Sequence, residues 1–93
     1  MRVTETIPID AQHSIEFGIA TWCQDRPKDE QVESIRNRYE NEDGIFSPRG
    51  SSEIPLTDME ILVCECLKRD KLNIDEMSNI LKEIAESIKR QIV

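Results

Sequence analysis

Residue types that commonly build catalytic or metal sites are scarce in this sequence. It holds one histidine, His13, and three cysteines among 93 residues. Cys64 and Cys66 lack the two-residue spacer of a zinc knuckle, and no second ligand pair accompanies them. His13 would activate Cys23 or Ser14 only within hydrogen-bond reach, and no pattern places them there. We therefore expect no catalytic residue, no metal, no cofactor and no enzymatic activity.

Long apolar runs are also missing. No apolar stretch approaches the roughly 20 residues of a membrane span, and the first residues lack the basic and apolar regions of a secretory signal. The cysteine count is odd, at three, which argues against a disulfide framework and favours reduced thiols. These absences predict a cytoplasmic protein without a membrane partner.

Positive charge is in deficit. The chain has 12 lysines and arginines against 19 aspartates and glutamates, which gives a formal charge of −7. Nucleic acids and anionic membranes require a positive surface, so this balance argues against both as partners. It favours a protein partner with a basic surface.

The clearest pattern lies in residues 74–91. Asn73 is followed three residues later by Glu76, the spacing of a capping box at a helix start. No glycine or proline interrupts the stretch. Large apolar residues then recur at steps of three and four, which predicts one amphipathic helix. They are Ile74, Met77, Leu81, Ile84 and Ile88.

A shorter helix is predicted just before it, near residues 58–69. Thr57 and Glu60 have the spacing of a second capping box. The body of this helix is apolar on more than one face, which is typical of a helix buried among several neighbours. We therefore expect residues 56–93 to form an antiparallel helical hairpin at the centre of the core.

The apolar stripe of the last helix is wider than one packed neighbour requires, because Ile80, Ala85 and Ile92 extend it. Packing on the preceding helix is the favoured interpretation, and a homodimer through this helix is the alternative. The lone Trp22 is interpreted as a core anchor, with an interface position as the alternative. The candidate partner interface consists of Ile80, Ile84, Ile88, Ile92 and Trp22.

Residues 10–23 fit two structures. Ile15, Ile19 and Trp22 have helical spacing, which favours an amphipathic helix. Ile15, Phe17 and Ile19 also alternate with other residues, and Gly18 lowers helical propensity, so a strand over residues 14–21 is the alternative. We favour the helix because Trp22 extends its face.

The remaining segments complete an all-α prediction for a single domain over residues 1–93. Residues 1–9 are expected to be an extended arm, and Val32, Ile35 and Tyr39 indicate a surface helix. Two prolines, a glycine and several serines predict a loop over residues 45–55. The four predicted helices lie near 10–23, 28–41, 58–69 and 74–91.

The expected function is that of a small acidic protein–protein interaction module, a regulator, adaptor or inhibitor of a protein partner. One alternative is an acidic mimic of nucleic acid. Another comes from the sequences Leu-Thr-Asp-Met-Glu and Ile-Asp-Glu-Met-Ser-Asn-Ile-Leu, which resemble the opening of bacterial helix-turn-helix regulators. That resemblance implies DNA binding, but Asp75 and Glu76 would bring the wrong charge to phosphates.

Overall fold

The computed structural model describes residues 1–47 and 51–93, so part of the predicted loop 45–55 lies outside the described residues. The chain divides into two compact units. We call Met1–Met59 the sheet unit and Glu60–Val93 the helical unit.

The sheet unit is built on four antiparallel strands in the order β1-β2-β3-β4. The prediction of an all-α, four-helix domain is therefore wrong, because the chain combines this sheet with two helices. The strands are β1 Arg2–Pro8, β2 His13–Ile19, β3 Glu33–Tyr39 and β4 Glu53–Pro55.

β2 takes the place of the first predicted helix. Phe17 pairs with Ile35 of β3, and Ile15 pairs with Ile7 of β1, so the alternating residues line one face of the sheet. Trp22, which extended the helical pattern, lies instead in a 3₁₀ turn, Thr21–Cys23, directly after the strand. The strand alternative for this segment was the correct one.

β3 replaces the second predicted helix, near residues 28–41. A 3₁₀ turn, Lys28–Glu30, precedes the strand. Arg36 and Arg38 occupy alternate positions of β3, so their side chains lie on the same face of the sheet. Arg36 is paired across the sheet with Glu16 of β2, and this long-range contact has no signature in the local sequence.

The segments expected to lack regular structure contribute the outer parts of the sheet. The predicted arm contains β1, whose seven residues are all exposed at the sheet edge. In the predicted loop, β4 pairs with β3, and Phe46 forms an isolated bridge with Glu40. Among the described residues, the buried apolar side chains are Ala20 and Cys23 alone.

The helical unit confirms the extent of the last helix. The second helix, α2, spans Ile74–Gln91, and Asn73 and Glu76 form both hydrogen bonds of the predicted capping box. The first helix, α1, spans Met59–Lys68 and follows a 3₁₀ turn, Leu56–Asp58.

The predicted helical hairpin is wrong, because α1 and α2 scarcely contact one another. Neither helix contains a buried residue. A hairpin needs the apolar faces of its two helices to cover each other, and here both faces stay open. Within residues 1–47 and 51–93, no helix combines the length and apolar character needed to cross a membrane.

Candidate functional site

The apolar face of α2 is the most prominent surface feature of the helical unit. Its large aliphatic side chains are exposed to between 48 and 78 %. Soluble monomers rarely expose a contiguous apolar patch of this kind unless it binds something. We define the α2 face by Ile74, Met77, Leu81, Ile84, Ile88 and Ile92.

Most of the predicted interface residues lie on or beside this face. Ile84 and Ile88 belong to it directly, Ile80 flanks it and is half-buried, and Ile92 follows the last helical residue. Trp22 belongs to the sheet unit and is 47 % exposed, so its interpretation as a core anchor does not hold.

Charge is distributed asymmetrically along α2. Its first turn carries Asp75 and Glu76, and its last turn carries Lys89 and Arg90. Both placements favour the isolated helix, because the macrodipole is positive at the N-terminus and negative at the C-terminus. Glu86 and Lys89 form an ion pair of 3.6 Å on the solvent side. The helix therefore has a net acidic end and a net basic end.

α1 adds apolar surface that the sequence analysis assigned to the core. Ile61 is 61 % exposed, Leu62 44 % and Leu67 38 %. The sequence signal was present, since an apolar pattern on more than one face indicates several neighbours. It did not reveal that Ile61, Leu62 and Leu67 remain exposed.

The sheet unit holds its own charged cluster. Nε of Arg36 donates to Glu16 Oε1 at 2.8 Å, Nη2 lies 2.8 Å from the same oxygen in an ion pair, and Glu16 is 5 % exposed. Arg38 lies 3.8 Å from the same carboxylate. The ring of Phe46 lies 4.9 Å from the Arg36 guanidinium and 4.4 Å from that of Arg38. The two arginines thus satisfy a buried carboxylate and stack on an aromatic face.

A second carboxylate, Glu53, links β4 to the segment after β2. It accepts hydrogen bonds from the Thr21 backbone N–H at 3.1 Å, the Thr21 hydroxyl at 2.5 Å and the Ser34 hydroxyl at 3.2 Å. Burial opposes the charged form, but these hydrogen bonds and the Met1 ammonium outweigh it and hold the pKa of Glu53 below its ordinary value. The cluster stabilises the sheet.

The residues considered for nucleophilic catalysis have separate partners. His13 Nε2 lies 2.7 Å from Asn37 Oδ1, and its ring stacks on Tyr39. The Cys23 thiol is buried, accepts from the Val32 N–H at 3.1 Å and lies 3.5 Å from the Ala20 carbonyl oxygen. In the described ranges, no group of three histidine, cysteine or acidic side chains is arranged to hold a metal ion.

The apolar sheet face carries a depression of about 200 Å³. Ligand pockets for small molecules usually have about 300–1,000 Å³, so this depression is small for such a site. Its lining residues are Ile15, Ile35, Arg36, Asn37, Ile54 and Met59.

Comparison with known proteins gives no family assignment. The chain matches no protein-family model, no curated protein and no solved structure.

Proposed function

We propose that the protein is a protein-interaction module that binds through the α2 face and acts as a regulator, adaptor or inhibitor of the chain it binds. The single observation behind this proposal is the exposure of that face. An amphipathic helix that lays its apolar side against another protein is a recurrent recognition mode. The aligned Leu81, Ile84 and Ile88 would supply its central anchors.

Charge and thiol chemistry extend the proposal. The formal charge of −7 would steer a partner with a basic surface, because complementary potentials accelerate encounter. The three free cysteines fit the cytosol, where thiols stay reduced. We propose no catalytic activity.

Neither nucleic-acid alternative gains support from the geometry. In a helix-turn-helix reading, α2 would present Asp75 and Glu76 to phosphates at its N-terminal end, where it should present donors and positive charge. An acidic mimic needs carboxylates along one helix face, but α2 alternates Lys82, Glu83 and Lys89 on its polar side.

The test is a capture experiment with matched variants. Tagged wild-type protein, a Leu81→Glu plus Ile88→Glu variant, and an Asn79→Glu control are incubated with native lysate at physiological salt, with and without nuclease. Asn79 lies on the polar side of α2, so its substitution adds a carboxylate without entering the α2 face.

We expect stoichiometric protein partners with the wild type and the control, resistant to nuclease and lost with the double variant. Dependence on the α2 face, not capture by itself, is the supporting result. The proposal would be rejected if all three baits recovered the same proteins, or if they recovered nucleic acid instead of protein.

A further inference from the structure

The α2 face is broader than the seam of a two-stranded coiled coil. Positions that flank such a seam usually carry charge, which sets partner and orientation. In α2 the flanking positions are small or apolar, and charged side chains begin only one position further out. A surface of this width suits close packing against another broad apolar helix. The flanking residues are Ser78, Ile80, Ala85 and Ser87.

The apolar residues of α2 are arranged symmetrically about the helix midpoint, which lies between Lys82 and Glu83. If two copies of α2 run antiparallel about a two-fold axis there, six of its seven apolar residues lie at the same height as an apolar residue of the other copy, and Ile74 lies at the height of Gln91. The pairs are Leu81 with Ile84, Met77 with Ile88, and Ile80 with Ala85.

The charged residues at the two ends of α2 are also placed symmetrically about the midpoint, but residues at equal distances from it carry opposite charges. Asp75 and Glu76 lie as far from the midpoint as Arg90 and Lys89. An antiparallel pair therefore places the acidic first turn of one copy beside the basic last turn of the other, and opposes the two macrodipoles. A parallel pair would bring like charges together at both ends.

We propose that α2 pairs with α2 of a second copy of this chain, antiparallel, about a two-fold axis between Lys82 and Glu83. This inference rests on the proposed function, because it takes the α2 face as the binding surface, but it names a second copy of this chain as the occupant in place of a partner with a basic surface. A standard interface takes about 20–30 residues per side. The α2 face and its flanking residues number ten, so exposed apolar residues of α1 must contribute to an interface of that size.

The experiment uses purified full-length protein and sedimentation equilibrium at low and physiological salt. The wild type is expected to be a dimer. Leu81→Glu places a carboxylate beside the axis and is expected to weaken self-association by at least about a hundredfold, because the charge would be desolvated without a partner. The matched Asn79→Glu variant is expected to dimerise like the wild type.

Charge reversal tests the orientation. Asp75→Lys with Glu76→Lys makes both ends of α2 basic, and Lys89→Glu with Arg90→Glu makes both ends acidic. Each variant alone is expected to self-associate about tenfold more weakly at low salt, since every end contact becomes repulsive. Mixing the two variants is expected to restore the dimer, although each helix retains its own unfavourable end charges.

Three results would overturn the inference: a monomeric wild type, a Leu81→Glu variant that still dimerises, or two charge variants that fail to recombine. A monomeric wild type would leave the proposed function standing if α2-dependent capture of another protein persists. If the wild type dimerises but captures other proteins independently of the α2 face, the self-association would be upheld. The proposed role of the α2 face in binding a different partner would then be rejected.

Discussion

The sheet unit and the helical unit differ in how far their charged and polar side chains are buried and paired. In the sheet unit, Glu16 is buried and meets Arg36 at 2.8 Å, and Ser34, at 0 % exposure, donates to Glu53. In the helical unit no helical residue is buried, and the ion pairs, such as Glu65 with Lys68, stand in solvent. Surface pairs of that kind contribute little, about 0–1 kcal/mol.

Under the proposed pairing of α2, this difference makes the helical unit the one that gains from a second chain. Cross-strand contacts inside the sheet unit specify its register without outside help. Helices shorter than about 12–15 residues are marginal in water by themselves, so the 10-residue α1 depends on burial of its apolar surface. The 18-residue α2 is longer, but most helical stability in proteins comes from packing of an amphipathic face. Substitutions in the two units should therefore affect different observables, and Trp22 is useful because it lies in the sheet unit.

The largest effect is expected from Arg36→Met in the sheet unit. The substitution leaves the buried Glu16 carboxylate without its closest partner, which should lower the free energy of unfolding by about 3–5 kcal/mol. Urea unfolding followed by Trp22 fluorescence measures the loss.

Arg38→Met is the matched control for that change. Arg38 is 3.8 Å from Glu16 and its side chain is 28 % exposed, so its removal should cost clearly less. Equal losses of unfolding free energy in the two variants would mean that the short Glu16–Arg36 contact contributes no more to stability than the longer contact of Arg38. Dimer formation through α2 should survive Arg38→Met.

A smaller loss is expected from Gly18→Ala, which tests the close approach of β1 to β2. A Cβ at this position would clash with the Arg2 carbonyl oxygen, so the strands must separate locally. We expect about 1–3 kcal/mol of destabilisation and faster hydrogen exchange of the β1 amides. Gly44→Ala is the contrast, because its Cβ meets no atom within 4 Å and only its φ of 76° resists substitution. Unchanged exchange in β1 would contradict the steric account.

The parts of the fold that follow from local chemistry were predictable. The bounds of α2 follow from the Asn73 capping box and an uninterrupted apolar stripe, and both belong to neighbouring residues. β2 was mistaken for a helix because Ile15, Ile19 and Trp22 satisfy a helical period by coincidence. What selects the strand is pairing with residues far along the chain, such as Phe17 with Ile35, which no local period reveals.

The features of the candidate site likewise divide into those that the local sequence predicts and those that it does not. Residues on the α2 face were predicted because a stripe wider than one neighbour is visible in the sequence. The exposure of α1 was not, since an apolar pattern signals burial without saying which chain provides the cover. The Glu16–Arg36 pair was missed because charged residues are rarely buried, and only the cross-strand register brings them together.

An intermediate effect with a defined pH dependence is expected from Glu53→Gln. The pKa of Glu53 is lowered in the folded state, so its contribution to stability is present above its ordinary value of 4.5 and is lost as pH falls through the lower folded value. At neutral pH the variant should lose about 1–3 kcal/mol, because hydrogen bonds to a charged acceptor weaken. Towards the acid end the wild type and variant should converge. Urea midpoints followed by Trp22 fluorescence across that pH range measure this, and a constant gap would contradict it.

The smallest effect is expected from Asn73→Ala in the helical unit, and its size should depend on protein concentration. The substitution removes the acceptor for the Glu76 backbone N–H and should cost about 0.5–2 kcal/mol of helix stability. In dilute monomer, α2 has no buried residue to offset this loss, so its first turn should fray and the helical circular dichroism should fall. In the dimer, packing of Met77 against Ile88 of the second copy should hold that turn in place and restore the signal. Asn79→Ala, an exposed position within the same helix, should lower neither signal. Loss of helicity that is equal at all concentrations would mean that nothing covers the α2 face on self-association, and the contrast between the two units would then need a different explanation.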